Sequence, residues 1–128
     1  MPASKVKSSS KILIVDDEEG VRESLKLILG DYYDIILTDS GEQALRCLEK
    51  DPAIGLVLLD IKMPKVNGLE VLKAVKAKRH ALSVVMVTGY RSVETAAEAT
   101  RLGASGYIVK PFKSDEILAT VQRCLASI

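Results

Sequence analysis

The sequence has little of several residue types: two cysteines, one histidine and no tryptophan among 128 residues. Cys47 and Cys124 form no spacing motif, and each lies in an apolar helical pattern. This favours buried thiols over a disulfide framework or a cysteine-ligated metal site. No apolar run approaches the ~20 residues of a membrane span, and no secretory signal opens the chain. We therefore expect a soluble, cytoplasmic protein.

The sequence also lacks an excess of charge of either sign, because 18 basic and 17 acidic side chains leave a net charge of +1. Such a chain has no broad positive field to hold the phosphates of a nucleic acid. Direct nucleic-acid binding by this chain is therefore not expected. The basic cluster at 76–80, which contains His80, lies at a predicted helix end, where cations suit the helix dipole. We interpret it as solvated surface and not as a phosphorelay site.

The length suits one compact domain, which we predict over residues 11–128. Residues 1–10 are polar, serine-rich and without period, which predicts a disordered leader. From residue 11 onward, apolar runs rich in Val, Ile and Leu alternate with segments of helical spacing, the pattern of repeated βα units. Most of these runs are nearly unbroken, as in strands buried on both faces of a parallel sheet. The predicted strands are 11–15, 34–38, 56–59, 83–87 and 106–109.

Five segments with apolar residues three and four positions apart follow the strands and predict helices. Ser40 with Gln43 forms a capping box, and Gly30 and Gly103 are predicted to end helices. Five βα units are too few for an eight-stranded barrel, so we predict an open, doubly wound α/β sheet with helices on both faces. The helical stripes are Val21, Leu25, Ile28 and Leu29; Ala44, Leu45 and Leu48; Leu69, Leu72 and Val75; and two further helices are predicted over 93–102 and 115–125.

Polar residues follow the strands at their carboxyl ends, the edge where open α/β sheets bind ligands. They are Asp16 and Asp17 after the first strand, Asp60 after the third, Thr88 after the fourth and Lys110 after the fifth. Each alone fits turn or capping chemistry. Three carboxylates packed together, however, repel one another unless a cation lies among them. Oxygen ligands without histidine or cysteine suit Mg²⁺, with Mn²⁺ as the alternative.

A metal ion at this edge makes a covalent phosphoryl acceptor plausible, because an aspartate can attack phosphorus. The transferring group carries charge on its equatorial oxygens, which need positive partners. The metal ion, the Lys110 ammonium, and the Thr88 hydroxyl with nearby backbone N–H groups are the candidates. The sequence therefore predicts a phosphoryl-transfer site.

These residues stand in motifs that resemble the receiver domains of two-component response regulators, over essentially all of residues 11–126. The motifs are VDDEE at 15–19, LVLLDIKMPKVNGLEVL at 56–72, VTGY at 87–90 and LGASGYIVKPF at 102–112. The resemblance implies a flavodoxin-like (βα)₅ fold with strand order 2-1-3-4-5. It also implies a signalling domain that catalyses only its own phosphorylation and dephosphorylation.

The resemblance implies roles for the strand-end residues. Asp60 is implied as the phosphoacceptor, and Asp17 and Asp60 as direct metal ligands together with the backbone carbonyl of Lys62. Asp16 is implied as an acid that reaches the metal through water. Lys110 is implied to pair with the acceptor carboxylate and then with the phosphate.

Two further residues are implied as a conformational switch, in which Thr88 moves to the phosphoryl oxygen while the Tyr107 ring turns inward. Pro111 resembles a proline that follows a cis bond and holds Lys110 over the site. Pro64 and Gly68 are implied to shape the loop after the third strand.

The implied partners are a sensor histidine kinase or phosphotransfer protein and an output protein or domain. The output is expected on the face of the fourth helix, fifth strand and fifth helix, where phosphorylated receivers also pair as homodimers. Lys62 and Tyr90 occupy positions that vary in the family and tune the phosphate lifetime.

One alternative stays open, a pseudo-receiver that keeps the fold and binds partners without being phosphorylated. A haloacid-dehalogenase-like phosphatase is disfavoured, because Lys62 stands where that family needs a second acid and the length leaves no room for a cap domain. A flavodoxin-like FMN site is disfavoured as well, since the anionic VDDEEG loop would repel a phosphate.

Overall fold

A computed structural model describes residues 10–63 and 65–126. The predicted leader, apart from Ser10, and the predicted loop residue Pro64 lie outside the described residues. None of the described helices is long and apolar enough to cross a membrane. Strands and helices alternate along the chain. They are β1 (Lys11–Val15), α1 (Glu19–Leu29), β2 (Asp34–Thr38), α2 (Gly41–Lys50), β3 (Ile54–Leu59), α3 (Gly68–Lys78), β4 (Ser83–Thr88), α4 (Val93–Arg101), β5 (Gly106–Val109) and α5 (Ser114–Ala126).

The five strands form one parallel sheet in the order β2-β1-β3-β4-β5, which confirms the predicted fold class and strand order. Their registers are aligned at the carboxyl ends. Val15, the last residue of β1, pairs with Thr38 of β2 and with Leu59 of β3. The residues that follow these strands therefore leave the sheet at the same level.

Helices cover both faces of the sheet, so the strand residues are divided between two apolar clusters. Leu13 and Val15 of β1 belong to the cluster under α2 and α3, whereas Ile12 and Ile14 belong to the cluster under α1 and α5. All four side chains are fully buried. Burial of a side chain of this size stabilises a fold by about 1.5 to 3 kcal/mol. The central strands thus form a rigid support for the residues at their ends.

Two strand boundaries differ from the prediction: β3 begins at Ile54, two residues early, and β4 ends at Thr88, one residue late. The register of β1 against β3 shifts between Lys11 and Ile12, where Gly55 provides the extra residue of a bulge. A glycine inside an apolar run indicates a strand end as readily as a bulge. A bulge can be told from a strand end only by the pairing of β3 with β1, in which Lys11 lies opposite Ile54 and Ile12 opposite Leu56.

The helix ends follow the predicted local signals in part. The Ser40 hydroxyl accepts a 3.2 Å hydrogen bond from the Gln43 N–H, and the Gln43 side chain accepts one from the Asp39 N–H at 3.4 Å. Gly103, just after α4, has a φ of +104°, which favours glycine. Gly30 also ends its helix, but with a φ of −66°, in the right-handed region.

Candidate functional site

The sheet's hydrogen bonding continues past the strands and fixes the first residues beyond them. The Asp60 N–H donates to the Val15 carbonyl at 3.0 Å, and the Asp16 N–H donates to the Thr38 carbonyl at 3.2 Å. The Lys110 N–H bonds in the same way to the last residue of β4, at 2.8 Å. The backbone of each of these residues is therefore held at one edge of the sheet.

Three carboxylates meet at this edge. Asp16, Asp17 and Asp60 each offer an oxygen within 4.8 Å of the others. Asp16 is 2% exposed and Asp60 is 4% exposed, whereas Asp17 lies open to solvent. Burial raises the pKa of the Asp16 carboxyl, and the nearby Asp60 charge adds to the effect. An all-oxygen cluster of this kind has the chemistry of a site for a hard divalent cation.

The Lys110 ammonium lies among the acids. Its Nζ is 2.9 Å from Asp16 Oδ2, 3.1 Å from Glu18 Oε1 and 3.2 Å from Asp60 Oδ2. Burial alone would lower the pKa of Lys110, but the hydrogen bond and charge of Asp16, followed by the charge of Asp60, raise it well above its ordinary value. Lys110 therefore stays protonated. Its charge opposes the effect of burial on Asp16 without cancelling it.

Thr88 is completely buried at the end of β4, and its hydroxyl oxygen accepts a 3.3 Å hydrogen bond from the Tyr90 N–H. Tyr107, on the neighbouring β5, donates its hydroxyl to the Tyr90 carbonyl at 2.9 Å. The pKa of Tyr107 is raised by burial and then by the Asp60 charge. The two predicted switch residues thus contact the same intermediate residue.

The loop after β3 returns closely to the acceptor strand. The Lys62 N–H donates to Asp60 Oδ1 at 3.3 Å, and the Gly68 N–H donates to the Ile61 carbonyl at 2.6 Å. A Cβ atom at Gly68 would lie 2.1 Å from the Asp60 carbonyl oxygen and 2.5 Å from Ile61 Cα. Both contacts are with backbone that cannot yield easily. The loop therefore requires glycine at this position.

A cavity of about 680 Å³ opens above the Asp60 carboxylate. Gly89 and Tyr90 line it from the end of β4, whereas the buried Thr88 is not among the residues that line it. The Lys62 ammonium lies 5.8 Å from the centre of the Tyr90 ring, within cation–π range. The Lys110–Pro111 peptide bond beside the cavity is cis. The cavity is lined by Asp17, Glu18, Asp60, Lys62, Met63, Gly89, Tyr90 and Lys110.

Residues 12–122, most of the chain, match the family model described as the response regulator receiver domain. The chain belongs to this family. The receiver also resembles the transcriptional regulatory protein ZraR of Escherichia coli, with 39% identity over 116 residues, or 90% of this chain. The match spans only 26% of ZraR.

Solved structures agree with the family assignment. A CheY-like receiver domain protein from Methanospirillum hungatei has a TM-score of 0.88 and 32% identity, covering 94% of this chain and 96% of that one. The response regulator TrrA from Thermotoga maritima, in complex with Mg²⁺–BeF, has a TM-score of 0.82 and 34% identity. That match covers 91% of this receiver and 99% of TrrA. The predicted family is thereby confirmed.

Two polar residues of the receiver site were missed by the sequence reasoning. Glu18 forms an ion pair with Lys110. The Arg22 guanidinium, one turn along α1, donates to the Asp16 carbonyl at 2.8 Å. Glu18 belongs to the quoted VDDEE motif, which was the available signal, whereas Arg22 lies among other charged residues of α1 with no motif of its own.

Proposed function

We propose that this receiver accepts a phosphoryl group on Asp60 from a sensor histidine kinase or a phosphotransfer protein. The observation that carries the proposal is the position of Lys110 Nζ, which contacts both Asp16 and Asp60 beside an open cavity. A permanent cation at the acceptor oxygens is what an incoming phosphate requires.

Mg²⁺, or Mn²⁺ in its place, would be held by the Asp17 and Asp60 carboxylates and the Lys62 carbonyl, with Asp16 acting through water. The bound ion would supply further charge stabilisation for the phosphoryl oxygens. The donor set supports this assignment, because the Asp16, Asp17 and Asp60 oxygens already lie within 4.8 Å of one another. The Mg²⁺–BeF complex of TrrA, a protein of the same fold, also supports it.

In the transfer step, a carboxylate oxygen of Asp60 forms the new bond to phosphorus while the bond from phosphorus to the donor breaks. The donor's leaving group keeps that electron pair. Lys110 then exchanges its contact with the acceptor carboxylate for one with a phosphoryl oxygen. The step needs no proton from Lys110, which stays charged throughout.

The proposed switch begins with the loss of the hydrogen bond between the Thr88 hydroxyl and the Tyr90 N–H. For its hydroxyl to donate to the phosphoryl group, Thr88 has to move toward Asp60, which weakens its contact with the Tyr90 N–H. The Tyr90 carbonyl accepts the hydrogen bond of the Tyr107 hydroxyl. When Tyr90 shifts with Thr88, this hydrogen bond is lost and the Tyr107 ring turns inward. We place the output surface, and a phosphorylation-dependent homodimer, on the α4, β5 and α5 face beside Tyr107.

The wider context is part of the proposal. We assign residues 11–128 to the receiver domain, which acts in the cytoplasm on a downstream output domain or protein. The near-zero net charge favours a chain that does not itself bind nucleic acid. The chain covers 26% of ZraR, so we do not carry the transcriptional role in that protein's name over to this domain.

The pseudo-receiver alternative is not supported. A module that only binds partners has no need of three carboxylates within 4.8 Å of one another and an ammonium paired with two of them, where the charges cost desolvation free energy. All of the strand-end residues that the family motifs supply are present in this chain.

The decisive experiment is incubation with Mg²⁺ and acetyl phosphate, followed by intact mass spectrometry. We expect one phosphoryl group on the wild type, none with chelator in place of Mg²⁺, and none on Asp60→Asn. Asp39→Asn is the matched control, because Asp39 is an exposed aspartate after β2, outside the carboxylate cluster. Labelling of Asp60→Asn, or no labelling of the wild type, would overturn the proposal.

A further inference from the structure

Lys110 has a third carboxylate partner that the proposed chemistry does not use. Glu18 Oε1 lies 3.1 Å from Lys110 Nζ, at the mouth of the cavity above Asp60. Its side chain is 62% exposed, unlike those of the two buried aspartates. Glu18 is also the N-cap residue of α1, but its side chain makes no capping hydrogen bond to the described helix. The carboxylate is instead engaged with the lysine.

The backbone of Glu18 is held independently of its side chain. Its N–H donates to Asp16 Oδ1 at 2.9 Å, which fixes the start of α1 to the carboxylate cluster. A change confined to the Glu18 carboxylate therefore leaves this backbone contact in place.

Lys110 has three N–H donors, and Asp16, Asp60 and Glu18 can each take one. On phosphorylation, the donor that Asp60 holds passes to a phosphoryl oxygen, and any second donor to the phosphoryl group has to come from the contact with Asp16 or with Glu18. The contact with Glu18 is the most exposed, and exposed ion pairs are worth little. Glu18 is the partner that competes with the phosphate for Lys110.

The Glu18 charge also lies in the cavity that a small donor has to enter to reach Asp60. Asp17 and Glu18 are exposed and line the cavity, so an anionic phosphodonor that approaches Lys110 is repelled by their negative charge. Coulomb repulsion between solvent-exposed charges acts over about 10 Å at moderate salt and shortens as salt is added.

We propose that Glu18 is a positioning residue and donor filter: it holds Lys110 in the unphosphorylated receiver and disfavours small anionic phosphodonors. This inference rests on the proposed phosphorylation of Asp60. A protein donor docked over the same edge brings its own contacts, which can offset the repulsion. Glu18 would thus favour phosphorylation by a partner protein over phosphorylation by free metabolites of the acyl phosphate class.

The test compares the initial rates of phosphorylation by acetyl phosphate and Mg²⁺ for the wild type, Glu18→Gln and Glu19→Gln. Glu19 is the matched control, because it is the adjacent exposed acid in the first turn of α1 and does not line the cavity. We expect Glu18→Gln to raise kcat/KM about 2- to 5-fold at low salt, the size typical of an exposed ion pair, mainly through a lower KM. Glu18→Asp keeps the charge and should be phosphorylated at the wild-type rate.

Salt provides a second readout that a merely structural role would not change. Near 1 M salt, where screening leaves a range of only about 3 Å, the advantage of Glu18→Gln should largely vanish. Equal rates for wild type and Glu18→Gln, or an equal gain in Glu19→Gln, would overturn the role of Glu18. Either result would leave the proposed function of Asp60 standing. No labelling of any protein, wild type included, would instead overturn the proposed function of Asp60.

Discussion

The Tyr107 hydroxyl donates a 2.9 Å hydrogen bond to the backbone carbonyl of Tyr90, which links β5 to the segment after β4. The N–H of the same Tyr90 donates to the buried Thr88 hydroxyl at 3.3 Å. One residue is therefore held from two sides, by a strand-end threonine and by a tyrosine of the neighbouring strand. In the switch that we propose, a displacement of Thr88 would reach Tyr107 through Tyr90.

Replacement of Tyr107 by phenylalanine removes the donor and keeps the ring. We expect the free energy of unfolding to fall by about 0.5 to 1.5 kcal/mol, the usual net value of one hydrogen bond, in urea denaturation. Tyr32→Phe is the control, since Tyr32 is a partly buried tyrosine for which the described residues provide no hydroxyl partner. Equal losses in both variants would contradict a specific role for the contact with Tyr90.

Two glycine substitutions should change stability in opposite directions. Gly68→Ala places a Cβ atom 2.1 Å from the Asp60 carbonyl, and overpacking of this kind costs about 1 to 3 kcal/mol. Gly20→Ala meets nothing within 4 Å inside α1 and should gain about 0.5 to 1 kcal/mol from helix propensity. Thermal and urea unfolding of the two variants would measure both values. A neutral Gly68→Ala would mean that the loop beside Asp60 is not closely packed.

Added Mg²⁺ should stabilise the folded receiver if the acidic cluster binds it. At ten times the dissociation constant the gain is about 1.4 kcal/mol, because only the folded state offers the assembled site. Asp17→Asn removes an exposed ligand and should shift the Mg²⁺ titration to higher concentration, as seen by calorimetry or by unfolding midpoints. Asp39→Asn should leave the titration unchanged. An unaltered affinity in Asp17→Asn would exclude Asp17 as a ligand.

The raised pKa of Asp16 predicts a dependence of stability on pH in the absence of metal. A carboxyl whose pKa is higher in the folded state binds more protons there, so stability falls as pH rises above its ordinary value of 3.8. Asp16→Asn should therefore be more stable than the wild type at pH 7, and the difference should shrink as the pH falls toward 4. Urea denaturation across this range measures the effect.

Asp51 provides the control of opposite sign. The hydrogen bond from Lys11 lowers the pKa of the Asp51 carboxyl, so its ionised form stabilises the fold. Asp51→Asn should lose stability at neutral pH and approach the wild type in acid. If both substitutions changed stability in the same direction, charge burial at Asp16 would not be the cause.

The positions of the reactive groups could be predicted from the sequence because parallel strands share one carboxyl edge. Asp16, Asp60 and Lys110 each follow a strand directly, so assignment of the strands already placed them together. The order of the strands came from the family resemblance, since alternation of elements alone does not specify it.

Features that depend on tertiary contact could not be predicted. The Gly55 bulge is defined by the pairing of β3 with β1, and the ion pair of Glu18 with Lys110 joins residues 92 positions apart. The Thr88 hydroxyl, predicted to move to the phosphoryl oxygen, accepts a hydrogen bond from the Tyr90 N–H. Local sequence specifies none of these, because each depends on where a distant backbone or side chain lies.

The order of the strands also places Asp60 and Tyr107 in parts of the sheet that are packed to different degrees. Asp60 follows β3, the middle strand, which has a neighbour on each side and lies between two apolar layers. Tyr107 belongs to β5, the edge strand next to β4 in the described sheet. Most of the residues of β5 are only partly buried. Phosphorylation of Asp60, at the end of the tightly packed central strand, would thus change the conformation at the edge strand β5, where the fewest packing contacts have to be broken.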